Sequence, residues 1–303
     1  MSDTAFLVNP ASANGKTGKR WPDIARAAHS AGLRGEAIFS ELPGQLAELA
    51  REAVDGGASL LVVVGGDGTV HEVVNGIAGR EGVELALIPR GTGWDFARGH
   101  EIPKRLGEAL RIARDGTARA FDLGRATYQV GGREESAWFA NIASVGMSGA
   151  VAAKANETTK ALGAKTSYLL ALGAVFARWK NVHLRVRVDE ESRDALMEDT
   201  IVAVGRYLAG GMKITPDAEP DDGLFDVLLI GDLTKVELLR VMPKIYRGTH
   251  LPHPKGEVLR GRTVSIEADD PMPIQLDGEQ PGTTPVRFEI VPAAIRLRVP
   301  RTS

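Results

Sequence analysis

The sharpest chemical signal in this chain is Val62-Val63-Val64-Gly65-Gly66-Asp67-Gly68-Thr69. An apolar run ends in three glycines and then in residues that favour a helix start. Backbone N–H groups and the positive end of a helix dipole would converge there, which suits a phosphate group. Glycine lets the backbone approach such a group with no Cβ in the way. Thr69 and Glu72 have capping-box spacing, which predicts the helix start at this point. Asp67 would repel phosphate unless a cation lies between them, so it reads as a Mg²⁺ partner, directly or through water. The plain alternative is a tight strand-to-helix turn with an exposed Asp.

Other patterns break on inspection. Asn14-Gly15-Lys16-Thr17 looks like the end of a P-loop, but Pro10 stands where the first glycine belongs. Lys16, Lys19 and Arg20 read as solvated charges or as helpers of a bound anion. Gly146-Met147-Ser148-Gly149 approaches a nucleophile elbow, but Ala150 takes the last glycine position. The six histidines lack the HExxH spacing of a zinc protease. No cysteine is present, which excludes disulfides, thiolate metal sites and cysteine nucleophiles. The 37 basic and 39 acidic residues, net charge −2, give no support for a nucleic-acid binder.

The elements that must position the glycine loop follow from periodicity. Ala5–Val8, Glu36–Phe39, Leu60–Val64 and Leu85–Ile88 read as short apolar strands. Helices are predicted over about Lys19–Ala31, from Pro43 to the Gly56-Gly57 stop, after Gly68, and over about Pro103–Arg114. This alternation argues for an open parallel sheet covered by helices. After about residue 120 strands dominate, at Trp138–Ile142, Val182–Val188, Ile201–Val204, Phe225–Ile230, Thr263–Ala268, Ile274–Asp277, Val286–Val291 and Ile295–Val299. Helices at about Thr166–Lys180 and Thr234–Arg247 interrupt them. The second carries a Thr234/Glu237 capping box, ends before Gly248 and contains Pro243, a potential kink. The expected organisation is an N-terminal α/β nucleotide-binding domain, residues 1–123, and a β-rich, sandwich-like domain with inserted helices, residues 124–303. The last residues are allowed to pack back on the first domain. No long apolar run suits a signal peptide or a bilayer span, so the sequence reads as a soluble cytoplasmic protein.

The glycine loop does not stand alone. Asn9-Pro10 follows the first strand, and Pro89-Arg90-Gly91-Thr92-Gly93-Trp94-Asp95-Phe96-Ala97 follows the fourth. Later come Gly210-Gly211-Met212-Lys213-Ile214-Thr215-Pro216-Asp217-Ala218, Asp221-Asp222-Gly223-Leu224-Phe225-Asp226-Val227 and Asp277-Gly278-Glu279. In this order the set resembles the bacterial diacylglycerol kinase family of soluble lipid kinases. That family is related to sphingosine and ceramide kinases and more distantly to NAD kinases. The resemblance spans nearly the whole chain and implies an ATP-dependent lipid kinase with ATP and substrate meeting in a cleft.

By that resemblance, Asn9, Pro10, Ser12, Ser40, Gly65, Gly66, Asp67, Gly68, Thr69, Glu72 and Thr92 line the nucleotide site. Glu279 maps to the catalytic base. Asp67, Asp95 and Asp122 belong to a Mg²⁺-and-water network at the phosphates. A structural metal would take the Asp222 carboxylate and main-chain carbonyls near Glu219 and Leu224. Without the resemblance, Glu279 reads as a solvated turn carboxylate, Asp95 as a helix cap and Asp217, Asp221 and Asp222 as a solvated acidic loop. Two departures from the family pattern are Trp94 and His71, each standing where the family commonly has Asn. Trp94 would alter nucleotide contacts, stack on a base or cover the cleft. Other readings are a superfamily kinase for a sphingoid, another lipid or NAD, and a non-catalytic protein that binds nucleotide and lipid. The expected partner is a lipid at the inner membrane surface, visited transiently, with the basic segment Arg240–Arg262 as the docking region. A homodimer is compatible with this reading.

Overall fold

The computed structural model describes residues 3–91, 93–157 and 164–301. The chain divides into two compact units, Met1–Leu123 with Pro292–Ser303, and Gly124–Val291.

The first unit alternates β1 (Thr4–Val8), α1 (Lys16–Ser30), β2 (Glu36–Phe39), α2 (Leu46–Asp55), β3 (Leu60–Gly65), α3 (Asp67–Ile77) and β4 (Glu84–Pro89). The short α4 (Asp95–Gly99) and α5 (Leu106–Asp115) follow, then β5 (Thr117–Val130), which runs on into the second unit. All β1–β4 pairings are parallel, in the order β2-β1-β3-β4. Every residue of β3 is buried, which explains its unbroken Leu-Leu-Val-Val-Val run: helices cover both faces. Ile24 and Ala28 of α1 and Leu110 and Ala113 of α5 pack with Val62, Val64 and Ile88 on one side. Burial of each such aliphatic side chain contributes about 1.5–3 kcal/mol. At the far end of the chain Leu297 pairs in parallel with Leu85 of β4, and Arg298 Nε lies 2.7 Å from the Glu84 carboxylate.

The second unit contains β6 (Arg133–Phe139), β7 (Ile142–Gly146), α6 (Met147–Glu157), α7 (Ala164–Arg178), β8 (Val182–Val188) and β9 (Glu191–Ala203). The two-residue strands β10 (Tyr207–Leu208) and β11 (Met212–Lys213) form a small hairpin. Then come β12 (Phe225–Gly231), α8 (Lys235–Arg247), β13 (Gly256–Gly261), β14 (Thr263–Ala268), β15 (Ile274–Leu276) and β16 (Thr283–Val299). The strands pair antiparallel around Phe139, Phe225 and Phe288, all fully buried, with the Phe139 ring in contact with both others.

Several local expectations need correction. The single strand expected over Trp138–Ile142 is two strands, broken at Ala140-Asn141. The helix α6 was not foreseen; Gly146 at φ 137° turns the chain and Asp199 accepts the Ser148 N–H at 2.9 Å, starting it. The elbow-like Gly146–Gly149 is therefore a capped strand-to-helix turn. Pro243 does not divide α8, which is continuous and carries the full Thr234/Glu237 capping box. Among the described residues no helix is long and apolar enough to cross a membrane.

Candidate functional site

The order β2-β1-β3-β4 reverses direction between β1 and β3, and ligands of open α/β sheets bind outside the strand carboxyl ends at such a point. Asn9 follows β1, Ser40 follows β2, Gly65 ends β3 with Gly66 directly after it, and Arg90 and Gly91 follow β4. The fold thus sets four of the sequence segments side by side. Asn9 spans the reversal: its Nδ2 donates to Thr69 Oγ1 at 3.2 Å, and its backbone N–H donates to the Val64 carbonyl. Its Oδ1 accepts the Ala11 N–H at 3.0 Å, and the Ser12 hydroxyl donates to its carbonyl at 2.9 Å. Pro10 packs against Gly18 in the first turn of α1, where an added Cβ would lie 2.9 Å from the proline ring. Ser40 is buried and its N–H donates to the Val8 carbonyl.

The glycine loop is built by contact. A Cβ on Gly65 would fall 2.2 Å from Thr69 Oγ1, and one on Gly91 would fall 2.5 Å from the Gly66 Cα. Gly66 is extended and precedes α3 with no side chain capping that helix. Here the expected capping box fails. Thr69 lies inside the first turn and bonds Asn9, while Glu72 Oε2 accepts the Leu46 N–H at 3.1 Å, at the start of α2. The Thr69 N–H donates to the Gly66 carbonyl at 3.0 Å, so the start of α3 is closed by backbone and not by its own hydroxyl. Gly68 is exposed at this end. Thr92 lies outside the described residues.

The acidic residues divide by role. Half-buried Asp67 points one oxygen at α4, with Oδ1 accepting the Phe96 N–H at 3.1 Å. Asp67, not Asp95, therefore caps that helix. Asp95 is buried and paired with Arg98 at 2.5 Å, and buried Asp122 accepts the Ala293 N–H at 2.9 Å. Trp94, at φ 47°, sits between two cations, with the Arg98 guanidinium 4.4 Å and Lys104 Nζ 4.2 Å from its ring centroids. Burial and Arg98 pull the Lys104 ammonium below its usual range, while Asp67 and Asp95 oppose that shift.

Sequence reading missed one cation. Arg90 is half-buried, its Nε has no hydrogen-bond partner, and burial together with nearby Arg20 lowers its pKa. A guanidinium directly after β4, near a second one on α1 and with a buried donor unspent, points to an anion. The signal was present in Pro89-Arg90-Gly91, directly after a strand.

In the second unit, Asp277 and Gly278 both have positive φ, at 50° and 97°, and join Leu276 to Glu279 in a tight hairpin turn. Asp277 grips it: Oδ2 accepts the Ala140 N–H at 2.8 Å, and Oδ1 accepts those of Asn141 and Ile142 at 3.0 Å each. The Glu279 carboxylate stands exposed next to that anchored turn. The same three amides explain the strand break at Ala140-Asn141.

The residues near Asp67 fit a Mg²⁺ that keeps waters and takes its remaining ligands from phosphate, since one carboxylate is then enough. Among the described residues no group of three or more acids or histidines could hold a metal by itself. The segment assigned to a structural metal does not fit one as arranged. Asp222 Oδ1 accepts the Leu224 N–H at 3.0 Å and Oδ2 takes the Arg260 guanidinium, which also approaches Asp226 at 3.6 Å. One carbonyl beside Glu219 is also taken: Arg206 Nε donates to that of Ala218 at 2.6 Å. Glu219 is exposed. Arg260 thus holds the place a cation would take beside Asp222.

Sequence comparison decides the family. Residues 3–126 match the diacylglycerol kinase catalytic domain, and residues 141–299 match the YegS C-terminal NAD kinase beta sandwich-like domain. The chain belongs to the diacylglycerol kinase family. It is accordingly an enzyme, a lipid kinase by family. The diacylglycerol kinase of Staphylococcus carnosus is 26% identical over 297 residues, covering 98% of this chain and 94% of the relative. That of Staphylococcus saprophyticus is 27% identical over 286 residues, covering 93% and 90%. A crystal structure of a diacylglycerol kinase from Bacillus anthracis superposes with a TM-score of 0.73 at 19% identity, covering 98% and 96%. A second from that organism gives 0.78 at 23%, covering 98% and 94%. These structures share the family's fold: parallel α/β first, β-rich second.

Proposed function

We propose that the chain transfers the γ-phosphate of ATP to the hydroxyl of diacylglycerol or a related lipid alcohol. The observation that carries this reading is the match to the diacylglycerol kinase catalytic domain over the segment whose strand ends carry the glycine loop. In the proposed reaction the lipid oxygen bonds to the γ-phosphorus, and the bond from that phosphorus to the β–γ bridging oxygen breaks. ADP leaves, and the hydroxyl proton passes to the Glu279 carboxylate. Phosphoryl transfer of this kind depends mainly on positioning and charge stabilisation. The backbone of Gly66–Gly68 at the start of α3 holds the phosphates, with Asn9 fixing Thr69 beside it. Asp67 would hold Mg²⁺, which when bound would offset the phosphate charge. Arg98 and Lys104 hold the Trp94 ring in place.

The test is transfer of labelled γ-phosphate from ATP to a panel of diacylglycerol, monoacylglycerol, a sphingoid base, ceramide and NAD. Label in diacylglycerol or a close lipid alcohol is the expected result; label in NAD alone, or in nothing while ATP still binds, would overturn the reading.

Arg90 has a place in this scheme as a partner of the nucleotide phosphates. Arg90→Met is expected to raise the KM for ATP by about 10–100-fold, the worth of one hydrogen bond to a charged group. Steady-state kinetics at varied ATP check it, and an unchanged KM would remove Arg90 from the phosphate site.

A further inference from the structure

The basic segment Arg240–Arg262 is not one surface. Lys255 Nζ lies 2.8 Å from Glu237 and donates to the Asp232 carbonyl, and Arg260 is held by Asp222. Those two charges are spent inside the second unit. Arg240, Lys244 and Arg247 differ: all three are exposed on α8, and no carboxylate among the described residues pairs with them. Glu237, the acid of that helix, is held below the usual carboxylate range, at about 2, mainly by Lys255 and by Thr234.

Three cations alone would be a solvated helix face. The exposed apolar residues change that. Leu238, Val241 and Ile245 are buried, packed on one side of α8. Val236, Leu239 and Tyr246 are 55%, 60% and 54% exposed, a degree that leaves their side chains mostly in water. At about 100° per residue they fall, with Pro243, in one narrow stripe opposite the buried side. Arg240, Lys244 and Arg247 run along the edge of that stripe. An apolar row bordered by cations and facing away from the core is what an interfacial helix presents to a bilayer.

We infer that the outer face of α8 docks on an anionic lipid surface, with Val236, Leu239 and Tyr246 entering the headgroup region and Arg240, Lys244 and Arg247 meeting the phosphates. The charge argues against a second copy of this chain as occupant. Across a two-fold axis the same three unpaired cations would face themselves. The purpose of docking rests on the lipid-substrate reading above, since it brings the enzyme to a substrate that does not leave the membrane. The contact itself does not depend on that reading.

Sedimentation of the full chain with vesicles tests it, using phosphatidylcholine alone or mixed with phosphatidylglycerol. Binding is expected only to the mixed vesicles and should weaken as salt is raised. The triple variant Arg240→Gln, Lys244→Gln, Arg247→Gln is expected to lose on the order of a hundredfold in partitioning. Leu239→Asp is expected to lose about tenfold or more, with melting temperature little changed because the residue is 60% exposed. Transfer of phosphate to a short-chain, water-soluble diacylglycerol should be unchanged in both variants, while the rate on vesicles falls. Equal binding to both vesicle types, or wild-type binding by both variants, would overturn the inference. So would a change from dimer to monomer in the variants with vesicle binding intact, which would make the face a protein interface. Vesicle binding that depends on α8, with no transfer to any lipid, would support docking while removing the proposed substrate.

Discussion

Glu279→Gln is expected to lower kcat for phosphate transfer to lipid by about 10²–10⁴-fold, the usual contribution of a positioned base. The amide matches the carboxylate in size but does not take the hydroxyl proton. Glu279 is exposed, so the melting temperature should not move. The KM for ATP should not move either, because no part of the proposed nucleotide contact is lost. Full activity in Glu279→Gln would remove it as the base. Asp277 supplies the contrast, because its carboxylate accepts three backbone N–H groups. Asp277→Ala would leave those amides unpaired and loosen the turn that carries Glu279. Its loss should therefore appear in stability as well as in kcat, a pattern that separates a positioning residue from a base.

The second large effect is expected at the crossing of two loops. Gly91→Ala places a Cβ 2.5 Å from the Gly66 Cα, a backbone atom that has no flexible end to swing aside. The β3 and β4 loops must then move apart, carrying the first amides of α3 away from the phosphates. A displacement near 1 Å at such a site costs on the order of 10²-fold, so kcat/KM for ATP should fall by about that much. Gly107→Ala is the control, since nothing lies within 4 Å of its added Cβ. It should leave the kinetics alone and hold or raise the melting temperature, because alanine favours a helix. Wild-type kinetics in Gly91→Ala would mean that the loop contact does not position the nucleotide.

The positions of sequence error share a cause. Capping was legible where both partners are local, as with Thr234 and Glu237 of α8. It misled where the same spacing met distant partners. Thr69 bonds Asn9, 60 residues away, and Glu72 bonds Leu46, 26 residues away. The start of α4 is set by Asp67 across 29 residues, and the turn at Glu279 by amides of Ala140–Ile142 across more than 130. The same rule applies to charge. Arg240 and Arg260 look alike in the chain and both are exposed, but only Arg260 has an acid partner among the described residues, Asp222.

The sequence by itself determined the elements and their class. The continuous apolar run of β3 requires cover on both faces, and the period of the first 90 residues requires parallel strands joined by helices. The motif order pointed to the family, because glycines and carboxylates at such spacings are dictated by the ligand rather than by local propensity. Tertiary structure alone decided what each polar group faces. It placed Asn9, Ser40, Gly66 and Arg90 at neighbouring strand ends, assigned Asp95 and Asp122 to partners within the first unit, and put Arg260 where a metal was expected. It also separated the outer stripe of α8 from its buried side, with Val236 and Leu239 in water and Leu238 and Val241 in the core. Apolar patterning is a local, periodic property that a sequence carries openly. A hydrogen bond or ion pair joins residues that only the folded chain brings within 3 Å or so, and no spacing rule reports it.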